Sequence, residues 1–407
     1  MKRQPWLAIF VLFLALGTAV PGAISEDQTQ YWVKVEAKDA FARSLIADTG
    51  ASIESVFEDY VLAFASKETL RDLESGHKVV SAIPALRAFD FPQADQAFHN
   101  YFELEDKLFN LASQYPAISK LEPMGQTTEG RAIWKMRISG DMQTASERPG
   151  IFFVGGHHAR EHLSVELPLM LIEHLLKSYT AGDARIKALV DSRDIHIAPA
   201  LNADGLEFDI ATGKYQYWRK NRRDNRDRTY GVDLNRNYGF QWGTGGSSKR
   251  TNDETYMGPN AFSEPETQAV KKFIEAQPNI NVVLSYHTFS ELILYPWGHK
   301  RGSMDSVDQR VHETMAGQMA KWNGYKPQSS ADLYIASGDL TDWTYGAHKI
   351  VSFTFELDPK GGFSRDGFYP GAAVIPAVFQ KNLEPALYLI EYSDDPRRVL
   401  KSSVYEL

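Results

Sequence analysis

The chain has 407 residues, 43% of them hydrophobic and 24% charged, a globular composition long enough for one domain of about 250–300 residues and a smaller one. A formal net charge of −8 argues against a nucleic-acid-binding protein, which would carry a basic domain. Cysteine is absent, so disulfides and thiolate metal sites are excluded, and any metal must be held by histidine and carboxylate.

At the N-terminus, Lys2 and Arg3 precede an apolar run from Trp6 to Leu16 and the small residues Gly17, Thr18, Ala19, Gly22 and Ala23. This is the pattern of a secretory signal peptide over residues 1–23, too short for a membrane-spanning helix. Cleavage between residues 19 and 25 makes the mature chain secreted or periplasmic, with no membrane attachment. Residues 24–89 alternate strand-like stretches at 31–35, 60–64 and 79–83 with helical stretches at 39–47 and 67–74, closed by Gly50 and Gly76. They predict a small ferredoxin-like α+β unit. Pro84 and Pro92 bracket a linker with Arg87, which a trypsin-like activating protease could cut, so residues 24–89 read as a prodomain.

From residue 90 to 394, strands and helices alternate, with strands at 131–138, 151–154 and 195–198 and a helix at 164–179. That order predicts an α/β domain with a mixed sheet and helices on both faces. Residues 214–256 are polar and glycine-rich and read as long surface loops; residues 395–407 read as a C-terminal tail. Between Trp218 and Arg236, Lys220, Arg222, Arg223, Arg226 and Arg228 read as a solvated basic face.

Three apolar runs end at chemically active residues. The first, at 151–154, leads through Gly155 and Gly156 to His158 and Glu161; the second ends at His287, and the third at Glu356. Ligands of open α/β sheets bind beyond the carboxyl ends of strands, so one sheet could gather all four. Two histidines and a glutamate with an open position form a hydrolytic zinc pattern, although a short His-x-x-Glu alone is common. The neighbours His157, His162, His174 and His196 read as packed or hydrogen-bonded side chains.

The segments at 156–162, 231–237, 285–290, 333–338 and 353–357 follow the order and spacing of the zinc carboxypeptidase family, of the pancreatic A and B type. Residues 290–296 most resemble bacterial carboxypeptidase T. The resemblance runs from about residue 90 to 392 and implies an eight-stranded-type mixed sheet and one zinc ion. It implies His158, Glu161 and His287 as ligands, with Asp233 bonded behind His158. It implies Glu356 as the base that takes a proton from the attacking water and passes it to the leaving amine. Arg219 would then stabilise the oxyanion, Asn235 and Arg236 would clamp the terminal carboxylate, Arg160 would line the same groove, and Tyr334 would close over the substrate.

The implied activity is removal of the last residue from peptide or protein C-termini by a monomer made as a zymogen. Leu294, Gly298, Asp339 and Thr341 match the pocket for the terminal side chain. Asp339 with Thr341 resembles the bacterial arrangement and implies release of both hydrophobic and basic residues. Phe289 replaces a frequent tyrosine. Carboxypeptidase T also carries calcium, but no run here matches a calcium loop. Two other readings are a zinc deacylase or amidase of small acylated amino acids and a non-catalytic zinc-dependent binding protein. Asn235, Arg236 and Tyr334 count against the first, and Glu356 against the second.

Overall fold

Two separate sheets carry the chain, one in each of the units into which it divides after residue 88. The computed structural model describes residues 30–56, 58–84, 90–211, 213–360 and 365–402. The expected signal peptide and its cleavage site, the linker residue Arg87 and tail residues 403–407 lie outside the described residues. No helix among the described residues is long and apolar enough to cross a membrane.

The first unit runs β1 (Gln30–Glu36), α1 (Ala40–Asp48), β2 (Ser52–Val56), β3 (Tyr60–Ser66), α2 (Lys67–Gly76) and β4 (Val79–Pro84). Its strands pair antiparallel in the order β2-β3-β1-β4. Asp39 and Ser66 begin the two helices by accepting the backbone N–H of Ala42 and Thr69. Val33, Val35, Ile46, Val61, Ala63 and Leu73 fill the space between helices and sheet.

The second unit begins with α3 (Tyr101–Gln114), β5 (Ser119–Gln126), β6 (Ala132–Ile138), β7 (Gly150–Val154), α4 (Leu163–Thr180), α5 (Ala184–Ser192), β8 (Asp194–Ala198) and α6 (Ala203–Asp209). After a long irregular stretch come α7 (Pro265–Ala276), β9 (Ile280–Thr288), β10 (Leu292–Tyr295), α8 (Ser306–Asn323), β11 (Lys326–Ser329), α9 (Ser330–Leu333), α10 (Leu340–His348), β12 (Val351–Leu357), α11 (Ile375–Tyr392) and α12 (Val399–Ser402). The strand order is β11-β10-β12-β9-β7-β8-β6-β5. Strands β12, β9, β7 and β8 are mutually parallel, whereas β10 and β6 join them antiparallel.

Side chains alternate across this sheet because the strand period is two. On β7, Ile151 and Phe153 enter the core shared with α4, α8 and α11, while Phe152 and Val154 enter the core shared with α7 and α10. Helices therefore cover both faces, as the sequence pattern predicts. Truncating a fully buried ring such as Phe153 to alanine should cost about 3–5 kcal/mol.

Two expectations need correction. The 214–256 stretch is irregular but not superficial, because Lys220, Asn221, Asp233, Arg236, Asn237 and Tyr238 are all buried. Residues 396–402 form two short helical turns rather than a loose tail; Val399 joins the main core and Arg397 pairs with Asp308 at 2.8 Å.

Candidate active site

Strand β7 ends at Val154, and Gly155 turns the chain where nothing larger fits: a Cβ there would lie 2.0 Å from the Ser164 carbonyl oxygen. Gly156 continues with φ +66. This turn sets His158 and Glu161 just before α4, facing the end of β9. His158 Nδ1 and Glu161 Oε1 are 2.8 Å apart, His287 Nδ1 and Glu161 Oε2 3.0 Å, and the two Nδ1 atoms 3.1 Å. The three donor atoms lie within 4.8 Å of one another and are buried.

Two imidazole nitrogens facing each other beside one carboxylate suit a divalent ion of the zinc type. The remaining nitrogen of His158, Nε2, meets Asp233 Oδ1 at 3.2 Å, which turns the Nδ1 lone pair towards the cluster. Burial raises the Glu161 carboxyl, but His158 and His287 outweigh it and hold the group ionised. The chemistry of the site thus fits one zinc ion held by His158, Glu161 and His287.

Asp233 connects this centre to Arg219. Its Oδ2 accepts both Arg219 Nε and Nη2, at 3.0 and 2.9 Å, and its Oδ1 also accepts the Asn235 N–H. Although burial opposes ionisation, Arg219, Arg236 and His158 keep the Asp233 carboxylate far below the usual range. Arg219 Nη1 comes within 4.0 Å of Glu161 Oε1. Glu356 stands next to His287 across the parallel strands β12 and β9. Burial pushes its carboxyl up to about 7, against the pull of His287.

Beside Glu356 opens a cavity lined by Asn235, Arg236, Leu294, Gly298, Tyr334, Asp339 and Thr341. Ser330, Leu333, Ala336 and Thr354, which sequence reasoning missed, complete its wall. Thr354 was legible in principle, two residues before Glu356 and therefore on the same face of β12. Asp339 caps α10: its Oδ1 accepts the Asp342 N–H and the Thr341 hydroxyl, at 2.8 and 2.7 Å. Its Oδ2 has no hydrogen-bond partner among the described residues and lies 2.9 Å from where a Cβ on Gly298 would be. Burial and the neighbouring Asp342 push the Asp339 carboxyl up to about 7.

Arg236 is held by donating Nε to the Gly246 carbonyl and Nη1 to that of Asn235; its Nη2 reaches the exposed Tyr334 hydroxyl at 3.4 Å. Arg160 is not among the residues lining this cavity. It donates to the Tyr217 carbonyl and to Glu254, and its guanidinium lies 4.3 Å above the Phe368 ring. His157 bonds Tyr238 and Ser285, His162 bonds Asp209, and His196 bonds Lys135, the packed roles expected of them. The basic stretch departs from its solvated reading. Lys220 donates to the Thr251 carbonyl, Arg222 stacks 3.6 Å from Phe208, and Arg223 pairs with Glu264; only Arg226 and Arg228 are exposed.

A family model described as zinc carboxypeptidase matches residues 104–385. The zinc carboxypeptidase of Saccharothrix mutabilis subsp. capreolus is 34% identical over 416 residues, covering 96% of this chain and 95% of its own. Human carboxypeptidase A1 is 32% identical over 288 residues, covering 69% of this chain and 67% of its own. Carboxypeptidase A of Helicoverpa armigera shares the fold, with a TM-score of 0.66 at 24% identity over 92% of this chain and 98% of that one. Likeness that spans both the ligand-bearing strands and nearly the whole length shows that the chain belongs to the zinc carboxypeptidase family, as a zinc-dependent metallocarboxypeptidase.

Proposed function

We propose that this hydrolase is a secreted exopeptidase, made as a zymogen, that removes both hydrophobic and basic residues from peptide C-termini. The observation that carries the reading is one cavity lined by Arg236, Asn235, Glu356 and Asp339 together.

A terminal carboxylate gives the Arg236 guanidinium an anion to pair with, whereas an internal peptide would leave that buried charge with only its neutral carbonyl and hydroxyl partners, at a cost of about 1–3 kcal/mol. Anchoring the carboxylate there sets the last peptide bond beside Glu356 and Arg219. His158, Glu161 and His287 would hold the zinc ion, which would supply Lewis acidity at the reacting centre. Glu356 takes the proton of the attacking water and returns it to the departing amine; its raised pKa suits both halves of that task. Arg219, oriented by Asp233, provides fixed positive charge for the developing oxyanion. Tyr334, exposed on an irregular segment, is the side chain available to swing over a bound substrate.

The signal-like N-terminus supports export, and the separate first unit ahead of the Arg87 linker supports zymogen processing and an activating protease. Peptides that differ only in their last residue, incubated with the processed enzyme and followed by mass, test the reading. Stepwise loss of Leu, Phe, Lys and Arg is expected. Cleavage at internal bonds, or equal turnover of C-terminally amidated peptides, would sink the exopeptidase assignment.

A further inference from the structure

Asp209, the last residue of α6, is fully buried and has no part in the chemistry described above. Its Oδ1 accepts the backbone N–H of Trp218 at 2.7 Å and the Tyr369 hydroxyl at 3.1 Å. Its Oδ2 takes His162 Nε2 at 2.9 Å and the same Tyr369 hydroxyl at 2.9 Å. The three donors belong to three separate segments of the chain. Trp218 immediately precedes Arg219, and His162 immediately follows Glu161. Tyr369 follows Phe368, whose ring lies under Arg160 and packs edge-on against Phe289 at 4.9 Å.

Neither the segment around Trp218 nor the one around Tyr369 is held in a sheet or a long helix; around Trp218 single backbone bonds from Gln216 to the Asp209 carbonyl and from Ala159 to the Arg219 carbonyl are supplemented by the Asp209 side chain. A carboxylate can accept from all three donors at once, and charge makes each bond roughly twice as strong as a neutral one. Burial and the Asp209 charge hold the Tyr369 phenol protonated, which keeps it a donor. Around the carboxylate, Tyr369 stacks on Tyr215 at 3.7 Å and meets Tyr217 edge-on at 4.9 Å, so this aromatic cluster hangs on the same point.

We infer that Asp209 is a positioning residue for catalysis: through His162, Trp218 and Tyr369 it fixes the segments that carry Glu161, Arg219 and the Arg160–Phe368 contact relative to one another. Asp209 makes no bond to the terminal-carboxylate anchor: Arg236 donates to the Gly246 carbonyl, and Asn235 is held by Asp233 and Leu340. Loosening Asp209 should therefore lower kcat without weakening carboxylate binding. The inference rests on the exopeptidase reading, whose own failure would appear as absence of turnover by the wild type.

The test compares zinc-replete D209N and Y369F with wild type on a blocked dipeptide and a longer peptide, with melting temperature measured alongside. D194N serves as control, since Asp194 is buried but bonded to Arg137 and Asn279 at the far end of β8. For D209N, misplacement of reacting groups predicts a kcat loss of about 10- to 100-fold with KM within about twofold. Y369F removes one of the three donors and leaves the carboxylate in place, so it should lower kcat less than D209N does, by about three- to tenfold, with KM again within about twofold. A D209N kcat within twofold of wild type, or a loss no greater than that of D194N at a similar fall in melting temperature, overturns the inference. If D209N does not fold, Y369F decides, and a kcat within twofold of wild type on both substrates overturns it.

Discussion

Glu356 and His287 are register partners on the parallel strands β12 and β9, so the proposed base and a metal ligand are fixed to each other by the backbone hydrogen bonds of one sheet. Neither depends on a mobile loop for its position. Substituting Glu356 with glutamine keeps the shape and removes the proton acceptor. Turnover should fall by about 10²–10⁴-fold while metal content stays at the wild-type level. Near-normal turnover by Glu356→Gln would remove it from the mechanism.

Removal of the metal should act on stability as well as on rate, since the donor set is buried and two imidazoles face each other at 3.1 Å. An ion bound only by the folded state stabilises it by about 4 kcal/mol when present at about a thousandfold its dissociation constant. Chelation should thus lower the melting temperature and abolish turnover, and added zinc should restore both. His287→Ala should bind no zinc at either step. A chelated protein that melts unchanged would show that the cluster is not a metal centre.

The metal cluster and Glu356 were legible because each follows an apolar run that could only be a buried strand, and strand ends are where such sheets place chemistry. The pocket residues Leu294, Gly298, Asp339 and Thr341 were legible only through resemblance. Strand β2 escaped notice, since Ser52–Val56 offers just five residues with two charged or polar positions inside. The basic stretch misled for a different reason. Lys220, Arg222 and Arg223 read as solvated because their compensating groups, Thr251, Phe208 and Glu264, come from elsewhere in the chain. Asp209 was invisible in the same way: a single aspartate carries no signal until its three donors are brought together.

Processing should be testable at the boundary of the second unit. Phe91 is buried edge-on against His162 at 4.8 Å, and Asp95 accepts the Ala372 N–H and the Tyr215 hydroxyl. Cleavage between residues 87 and 90 leaves these contacts intact, and the released enzyme should be active where the uncut precursor is not. Trimming to residue 96 should instead lower the melting temperature by several degrees, as the Phe91 burial and both Asp95 bonds are lost. Full activity in the uncut precursor would contradict the zymogen reading.

The most specific expectation concerns how pH selects the residue removed. Asp339 lines the pocket with one carboxyl oxygen bonded and the other near Gly298, without a partner among the described residues. Around it stand Asp342 on α10, Arg236, Glu356 on β12, Tyr238 and Tyr334, with His299 already bonded to Asp342 at 2.6 Å. Burial and Asp342 push the Asp339 carboxyl up to about 7. Because this pKa is raised, the group is neutral below about pH 7 and ionised above it. A neutral carboxyl tolerates Leu or Phe, whereas a Lys or Arg side chain needs the ionised form to pair with. The ratio of kcat/KM for C-terminal Lys over Leu should therefore rise with pH, by up to about tenfold per unit near pH 7. Taking the ratio cancels the titrations of Glu356 and the metal centre, which act on both substrates alike. In Asp339→Asn the ratio should be low and flat from pH 5.5 to 8.5. A wild-type ratio that does not change over that range would show that Asp339 is already ionised or takes no part in selection, and cleavage of Lys undiminished in the variant would decide for the latter.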